Sequence, residues 1–182
     1  MNTVQEKSTQ IFTIDPVHTT VGFTVRHLMI SKVRGHFKGV TGTIAIPSGS
    51  DVPEAVDVTI EGSSIDTREP QRDDHLRSPD FLDVATYPTL RFHSTSISGS
   101  PDAFEVQGDL TIHGTTRPVV LHATFEGRAT DPWGNLRAGY EASTKISRKD
   151  FGLTWNQALE AGGVAVGDEV RIELNVEAIA PK

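Results

Sequence analysis

Apolar and polar residues alternate along most of the chain. From residue 20 onward Val21, Phe23, Val25, His27 and Met29 share one parity, while Thr24 and Arg26 hold the other. That period of two predicts a strand with one buried face and sets His27 inward beside Phe23 and Val25. The next run, residues 33–47, opens with Val33 and Phe37 on odd positions and continues with Val40, Ile44 and Ile46 on even ones. A change of parity needs a bend or bulge, and Gly35, Gly39 and Gly42 are placed to supply it. The alternation returns over residues 56–60, 90–92, 104–112, 119–125, 136–146 and 170–178, so that about eight strands are expected.

Turn-forming clusters separate these strands, among them Pro47-Ser48-Gly49-Ser50-Asp51, His113-Gly114-Thr115 and Asp131-Pro132-Trp133-Gly134-Asn135. Links this short favour antiparallel pairing, because parallel strands need crossover helices for which the sequence has no pattern. Antiparallel strands in this number close as an up-and-down barrel or stack as a sandwich. The runs over residues 118–131 and 136–147 exceed the usual strand length, as the tilted strands of a barrel do. The expected fold is all-β, an eight-stranded antiparallel barrel forming one domain over residues 11–182 behind a flexible segment at residues 1–10. Its interior mixes large side chains with Gly108, Ala123, Gly127, Ala138, Ala142 and Ala178, which suits either a packed core or one small ligand.

Between residues 63 and 87 the alternation stops and charge crowds in, with Asp66, Arg68, Glu69, Arg72, Asp73, Asp74, His75 and Arg77. Short helical turns are expected around residues 67–84. Thr67 or Asp66 would cap the first, and Ser78 with Pro79 would open the second, which carries Phe81 and Leu82. A second irregular stretch, residues 149–167, contains Phe151, Leu153 and Trp155. Both segments are expected to lie across a barrel end.

Composition narrows the function. With 17 Lys and Arg against 24 Asp and Glu, a net charge of -7 and no basic block, nucleic acid and anionic membranes are poor partners on charge alone. No apolar run is long enough for a membrane-spanning helix, which speaks against integral membrane insertion. The first ten residues have neither a basic nor an apolar leader region, so the cytoplasm is the expected compartment, or the periplasm or exterior if a leader has been removed. The absence of cysteine excludes disulfides, thiolate metal sites and thiol nucleophiles.

Catalytic signatures are missing. The seven histidines, His18, His27, His36, His75, His93, His113 and His122, form no metal-binding spacing. Asp150-Phe151-Gly152 matches a kinase tripeptide without the glycine-rich loop or catalytic loop it would need. Asp73, Asp74, Asp80 and Asp83 lie close to Arg68, Arg72 and Arg77, so loop-anchoring ion pairs are a better reading of them than a glycosidase pair. No metal, cofactor or catalytic residue is therefore assigned.

Several ordered motifs resemble one family. Asp15-Pro16-Val17-His18, then Val21-Gly22-Phe23-Thr24-Val25-Arg26-His27-Leu28 and Gly35-His36-Phe37, are similar to the opening of YceI-like polyisoprenoid-binding proteins of bacteria. Arg72-Asp73-Asp74-His75-Leu76-Arg77-Ser78, Gly108-Asp109-Leu110-Thr111-Ile112-His113-Gly114 and Ile146-Ser147-Arg148-Lys149-Asp150-Phe151-Gly152 continue the resemblance, which covers about residues 11–180. It implies a lipocalin-like barrel whose interior holds a long isoprenoid, such as a polyprenyl chain or a quinone tail, and no catalytic residues.

The candidate ligand contacts on inward strand faces are Phe23, Val25, His27, Met29, Phe37, Phe92, Phe125 and Tyr140. Phe81, Leu82, Arg148 and Trp155 join them from the connecting segments, and a polar head group is expected near His27, Arg72 or Arg148. The function expected is storage or transport of an apolar, isoprenoid-tailed lipid. The alternatives are an enzyme on the same barrel, with His27 or His75 as acid or base, and a packed stress-related module. Exposed barrel ends or a strand edge would permit a homodimer.

Overall fold

The computed structural model describes residues 8–182. The first seven residues of the expected N-terminal segment lie outside the described residues, and Thr9 and Gln10 already belong to a strand. In chain order the strands are β1 (Thr9–Ile14), β2 (Thr20–His27), β3 (Ser31–Phe37), β4 (Val40–Pro47), β5 (Ala55–Glu61), β6 (Ile65–Asp66), β7 (Thr89–Ser100), β8 (Ala103–Ile112), β9 (Thr115–Thr130), β10 (Leu136–Ser147) and β11 (Val166–Ile179). All pairings are antiparallel. β11 pairs with β2 through Val170↔Val25 and with β1 through Ile179↔Thr13, and the neighbour of β2 is β3 as that of β1 is β4. Thus β1 with β2, and β3 with β4, are the two halves of two long bent staves. With β5 and β7 to β11 they close a barrel of eight staves, while β6 is a two-residue addition beside β3.

The breaks in the two bent staves follow from the sequence. The parity change expected between Phe37 and Val40 occurs at Lys38 and Gly39, where the chain leaves β3 and restarts as β4. The first break, at Pro16-Val17-His18, is held by Asp15, whose carboxylate accepts from the Val17 N–H (2.9 Å), His18 Nδ1 (2.8 Å) and Arg137 (2.7 Å). Arg137 also donates to Asp131 (2.8 Å) and Glu177 (2.8 Å), tying the β9–β10 turn to the same corner. Burial raises the Asp15 pKa, but hydrogen bonds from Arg137, His18 and the Val17 N–H outweigh it and hold the group at about 2. The Asp131 carboxyl is also held low, chiefly by the Asn135 side chain. Ligand atoms of Asp15, His18 and Glu177 come within 4.8 Å of one another, but the Arg137 cation already bridges the two carboxylates.

This end of the barrel is filled. Phe12, Ile46, Ala138 and Ala178 are almost wholly excluded from solvent, and the Arg128 guanidinium lies 5.7 Å from the centre of the Phe12 ring. The Tyr140 hydroxyl donates to the Asp51 carbonyl (2.9 Å), fastening the β4–β5 loop beneath the staves. Burial pushes the Tyr140 phenol up to about 12.

The polar interruption forms one helix, α1 (Pro70–Arg77), preceded by a short 3-10 turn at Gly62–Ser64. The expected caps shift. Glu69 is the N-cap, with Pro70 in the first turn and the Glu69 side chain accepting from the Gln71 N–H. Thr67 is committed elsewhere, since its N–H and hydroxyl both donate to Asp73 (2.9 and 2.5 Å). Ser78 ends α1 instead of opening a second helix: its hydroxyl donates to the His75 carbonyl (2.6 Å), and the following residues, with Phe81 and Leu82, form turns. In the second irregular stretch Arg148–Phe151 is a 3-10 turn, and Gly152 closes it with the left-handed backbone that glycine adopts without strain. Asp150-Phe151-Gly152 is therefore a turn with a buried phenylalanine, the ring of Phe151 being 1% exposed.

Candidate ligand cavity

Opposite the filled end, the barrel encloses a cavity of about 620 Å³, within the range of small-molecule sites. The register of the long wall explains its lining. Ile146, Val170, Val25 and Val33 are cross-strand partners in one inward row, and Ala142, Leu174, Val21 and Phe37 form another. Between them lie Thr144, Ile172 and Phe23, with Gly35 opposite Phe23. The glycine matters, because a Cβ there would collide with the Phe23 ring and the Thr67 methyl. The absence of that carbon lets Phe23 lie flat across β3, 5.7 Å from the Phe37 ring centre. Aliphatic and aromatic residues of β4, β5, β7 and β8 make up the facing wall.

Two segments reach over the mouth. On α1, Arg72 donates from Nε to the Thr67 hydroxyl and from Nη2 to the Thr67 carbonyl (both 2.8 Å), so Arg72 and Asp73 clamp the helix to β6. His75 faces the cavity. It is hydrogen-bonded to Asp80 (2.9 Å) and meets the edges of Phe81 and Trp155 at centroid distances of 5.0 and 4.7 Å. The second segment is anchored by Arg148, 3% exposed, which donates to the carbonyls of Leu153, Trp155 and Gly167 at 2.7 to 2.9 Å. Burial lowers its pKa and Asp168 partly offsets this. The third part of the rim is the β2–β3 hairpin, whose Leu28 N–H donates to Ala165 (2.9 Å).

Residues 12–178 match the family model of the YceI-like domain. The chain belongs to the YceI-like family. It is 39% identical over 165 residues to Protein YceI of Salmonella newport (strain SL254) and of Escherichia coli O157:H7, covering 91% of this chain and 83% of each relative. Among solved structures, the Campylobacter jejuni YCEI protein has a TM-score of 0.75 at 30% identity, covering 86% of this chain and 90% of that one. Burkholderia cenocepacia BcnA superposes with a TM-score of 0.77 at 21% identity over 91% of this chain and 99% of that one. A polyisoprenoid binding domain from Saccharophagus degradans, implicated in plant cell wall breakdown, follows at 0.67 and 14%, over 93% and 98%. The last two likenesses concern the fold, a closed lipocalin-like antiparallel barrel.

In this YceI-like barrel the structure places Phe23, Val25, His27, Phe37, Phe81, Leu82, Phe92, Tyr140, Arg148 and Trp155 around the cavity. Two expected contacts are elsewhere. Met29 does not continue the inward face, because the chain turns at Leu28 and Met29; its side chain is 58% exposed and its sulfur sits against Gly163. Phe125 faces inward as the cross-strand partner of Tyr140, its ring tilted against that of Tyr140 (5.5 Å between centres), but it packs toward the filled end, where the pairing slips between Gly139 and Tyr140, and does not line the cavity. His27 lies on the exposed rim, not in a buried position. Leu28, Leu76, Leu153 and Leu159 also line the mouth, without being among the expected contacts. Leu28 has the wrong parity and the others lie in segments without alternation, so periodicity carries no signal for them.

Proposed function

We propose that this barrel binds an isoprenoid-tailed lipid, of the polyprenyl or quinone type, in its interior and stores or transports it without transforming it. The observation that carries this reading is the apolar cavity that runs from the rim at Leu28 to the floor at Ile14. Removing a hydrocarbon tail from water is worth about 0.8 kcal/mol per buried CH₂ in transfer terms. At about 0.3 kcal/mol per heavy atom, a tail of about 20 carbons would bind with about 6 kcal/mol, in the tens of micromolar. A branched isoprenoid suits walls built from many valine, isoleucine and leucine methyls. The family membership supports an apolar ligand, as does the fold shared with a domain described as polyisoprenoid-binding.

Three of the polar groups at the cavity are committed to the protein. Arg148 is engaged with backbone carbonyls, Arg72 with Thr67 and His75 with Asp80, so each holds a segment of the rim in place around an apolar interior. The packed-module alternative is disfavoured by the volume of the cavity. Organic extraction of the purified protein followed by mass spectrometry tests the proposal. An isoprenoid lipid near one per chain is the expected result. An empty extract, together with no stabilisation by added polyprenol or quinone, would overturn it.

A further inference from the structure

The β2–β3 hairpin ends on three consecutive apolar residues in water: Leu28, Met29 and Ile30 are 37%, 58% and 82% exposed. Leu28 and Met29 both have positive φ (50° and 63°), and the Ile30 N–H donates to the His27 carbonyl at 3.1 Å. This is a type I′ turn, for which Asn-Gly is the natural choice and two apolar side chains are a poor one. The sequence thus holds exposed hydrocarbon where a polar and less strained turn was available. Val164, across the rim beside Gly163, extends the apolar tip.

The position of the tip gives it meaning, because Leu28 also lines the cavity. The outer face behind it carries a cationic strip, which ends away from the tip at the exposed carboxylate of Glu173. Arg171 and Arg34 flank Thr24 in one cross-strand row, and Arg26 opposes Lys32 in the next. All four are exposed, and among the described residues none has a carboxylate within ion-pair distance, Asp168 and Glu169 being engaged by Lys149 (3.1 Å) and Lys145 (3.7 Å). The overall charge of -7 gives no hint of this strip; the fold assembles it from two distant parts of the chain. The opposite end also exposes apolar residues, Trp133 and Val17, but these flank the carboxylates of Asp131 and Asp15 and the filled floor separates them from the cavity.

We propose that the Leu28-Met29-Ile30 tip and the strip of Arg26, Lys32, Arg34 and Arg171 dock on an anionic phospholipid bilayer, the tip entering the interface beside the cavity mouth. Docking there would let a bilayer-borne lipid pass between membrane and barrel without crossing water. The inference builds on the reading of the cavity as a lipid site, but it is tested separately.

The full chain is sedimented with vesicles of phosphatidylcholine containing about one third phosphatidylglycerol, and with phosphatidylcholine vesicles, at low and high salt. The expected result is salt-sensitive binding to the anionic vesicles, reduced about tenfold or more by the triple variant Leu28→Asn, Met29→Gly, Ile30→Ser. Asn-Gly suits the turn, so the triple variant is expected to fold, as a thermal melt would show. Should it not fold, Lys32→Glu with Arg34→Glu asks the same question from the charged side. Trp133→Ser, at the far end, is expected to leave binding unchanged.

The proposal is overturned if the wild type binds neither vesicle or binds both equally, or if the tip and charge variants bind as well as the wild type. Binding lost only through Trp133→Ser would also overturn it, as would a tip that instead pairs two copies of the chain and ignores vesicles. Lipid extraction of the same samples reports on the cavity independently, since an empty extract beside intact vesicle binding removes the ligand and not the docking surface.

Discussion

The two ends of this barrel are built from the same staves and do opposite things with them. At the floor, Phe12, Ile46, Ala138 and Ala178 fill the interior, and Arg137 joins three carboxylates across the break in the first stave. At the mouth, the inward rows from Val25 to Ile146 face open volume, and connecting segments take the place of packed side chains. Alternation alone does not separate a floor from a cavity, because both need apolar residues on every second position. The difference lies in what closes the middle: at the floor Phe12 and the β4–β5 loop held by Tyr140 fill it, whereas toward the mouth Phe23 lies back against Gly35 and leaves the volume open.

The sharpest way to break the contrast is at the floor. Phe12→Ala removes a ring with no solvent exposure from a site that cannot collapse, so a loss of about 3 to 5 kcal/mol is expected in a denaturant melt. A loss below about 1 kcal/mol would show that the floor is as loose as the mouth. Arg137→Leu comes next. Asp15 and Asp131 keep little side-chain exposure, and stranding them without a cation should lower the denaturation midpoint, by less than Phe12→Ala does.

Acid tests the same corner. The Asp15 carboxyl, held at about 2 against an ordinary 3.8, has a depressed folded-state value. Its contribution is therefore present above 3.8 and lost as pH falls toward about 2. Thermal melts across that window should fall less steeply for Arg137→Leu than for the wild type.

At the mouth the effects should be smaller in stability and larger in ligand retention. Arg148→Gln leaves some of the carbonyls of Leu153, Trp155 and Gly167 without a donor, which should cost about 1 to 3 kcal/mol. Because those carbonyls hold the segment that carries Trp155 over the cavity, faster release of a fluorescent polyprenyl probe is expected. A probe off-rate equal to that of the wild type would detach this segment from the gate.

The staves were legible from the sequence because burial on one face writes itself as period two, and the parity change between Phe37 and Val40 pointed to the break now seen at Lys38 and Gly39. Legibility ended where that period ended. Alternation carries Met29 inward because Leu28-Met29 has none of the residues that mark a turn, yet the backbone turns there at positive φ. Phe125 does face inward, as the partner of Tyr140, but alternation gives the face and not the depth, so nothing in the sequence tells that it packs toward the filled end and not on the cavity. Arg148 does lie at the cavity, but that its guanidinium is bonded to backbone carbonyls can be recognised only once the chain has brought residues 153–167 around it. Glu69-Pro70 did carry an N-terminal helix signal, and Ser78-Pro79 carried a rival one that the fold uses as a helix end.

The smallest expected change in stability gives the finest distinction between the two ends. Val25 sits in the inward row between Val170 and Val33 and lines the cavity, whereas Thr24, one residue earlier, lies in the outer row between Arg171 and Arg34. In a close-packed interior an added indole costs about 1 to 3 kcal/mol or more. If the cavity is room for a tail, Val25→Trp can place its ring there, and the variant should melt within about 1 kcal/mol of the wild type while losing its lipid. Thr24→Trp, facing outward, should stay within about 0.5 kcal/mol and keep its lipid. The measurement pairs a denaturant melt with lipid quantification for each variant. A strongly destabilised Val25→Trp would mean that the mouth packs like the floor. A larger effect from Thr24→Trp would reverse the inward face of β2, and with it the placing of Phe23 over Gly35.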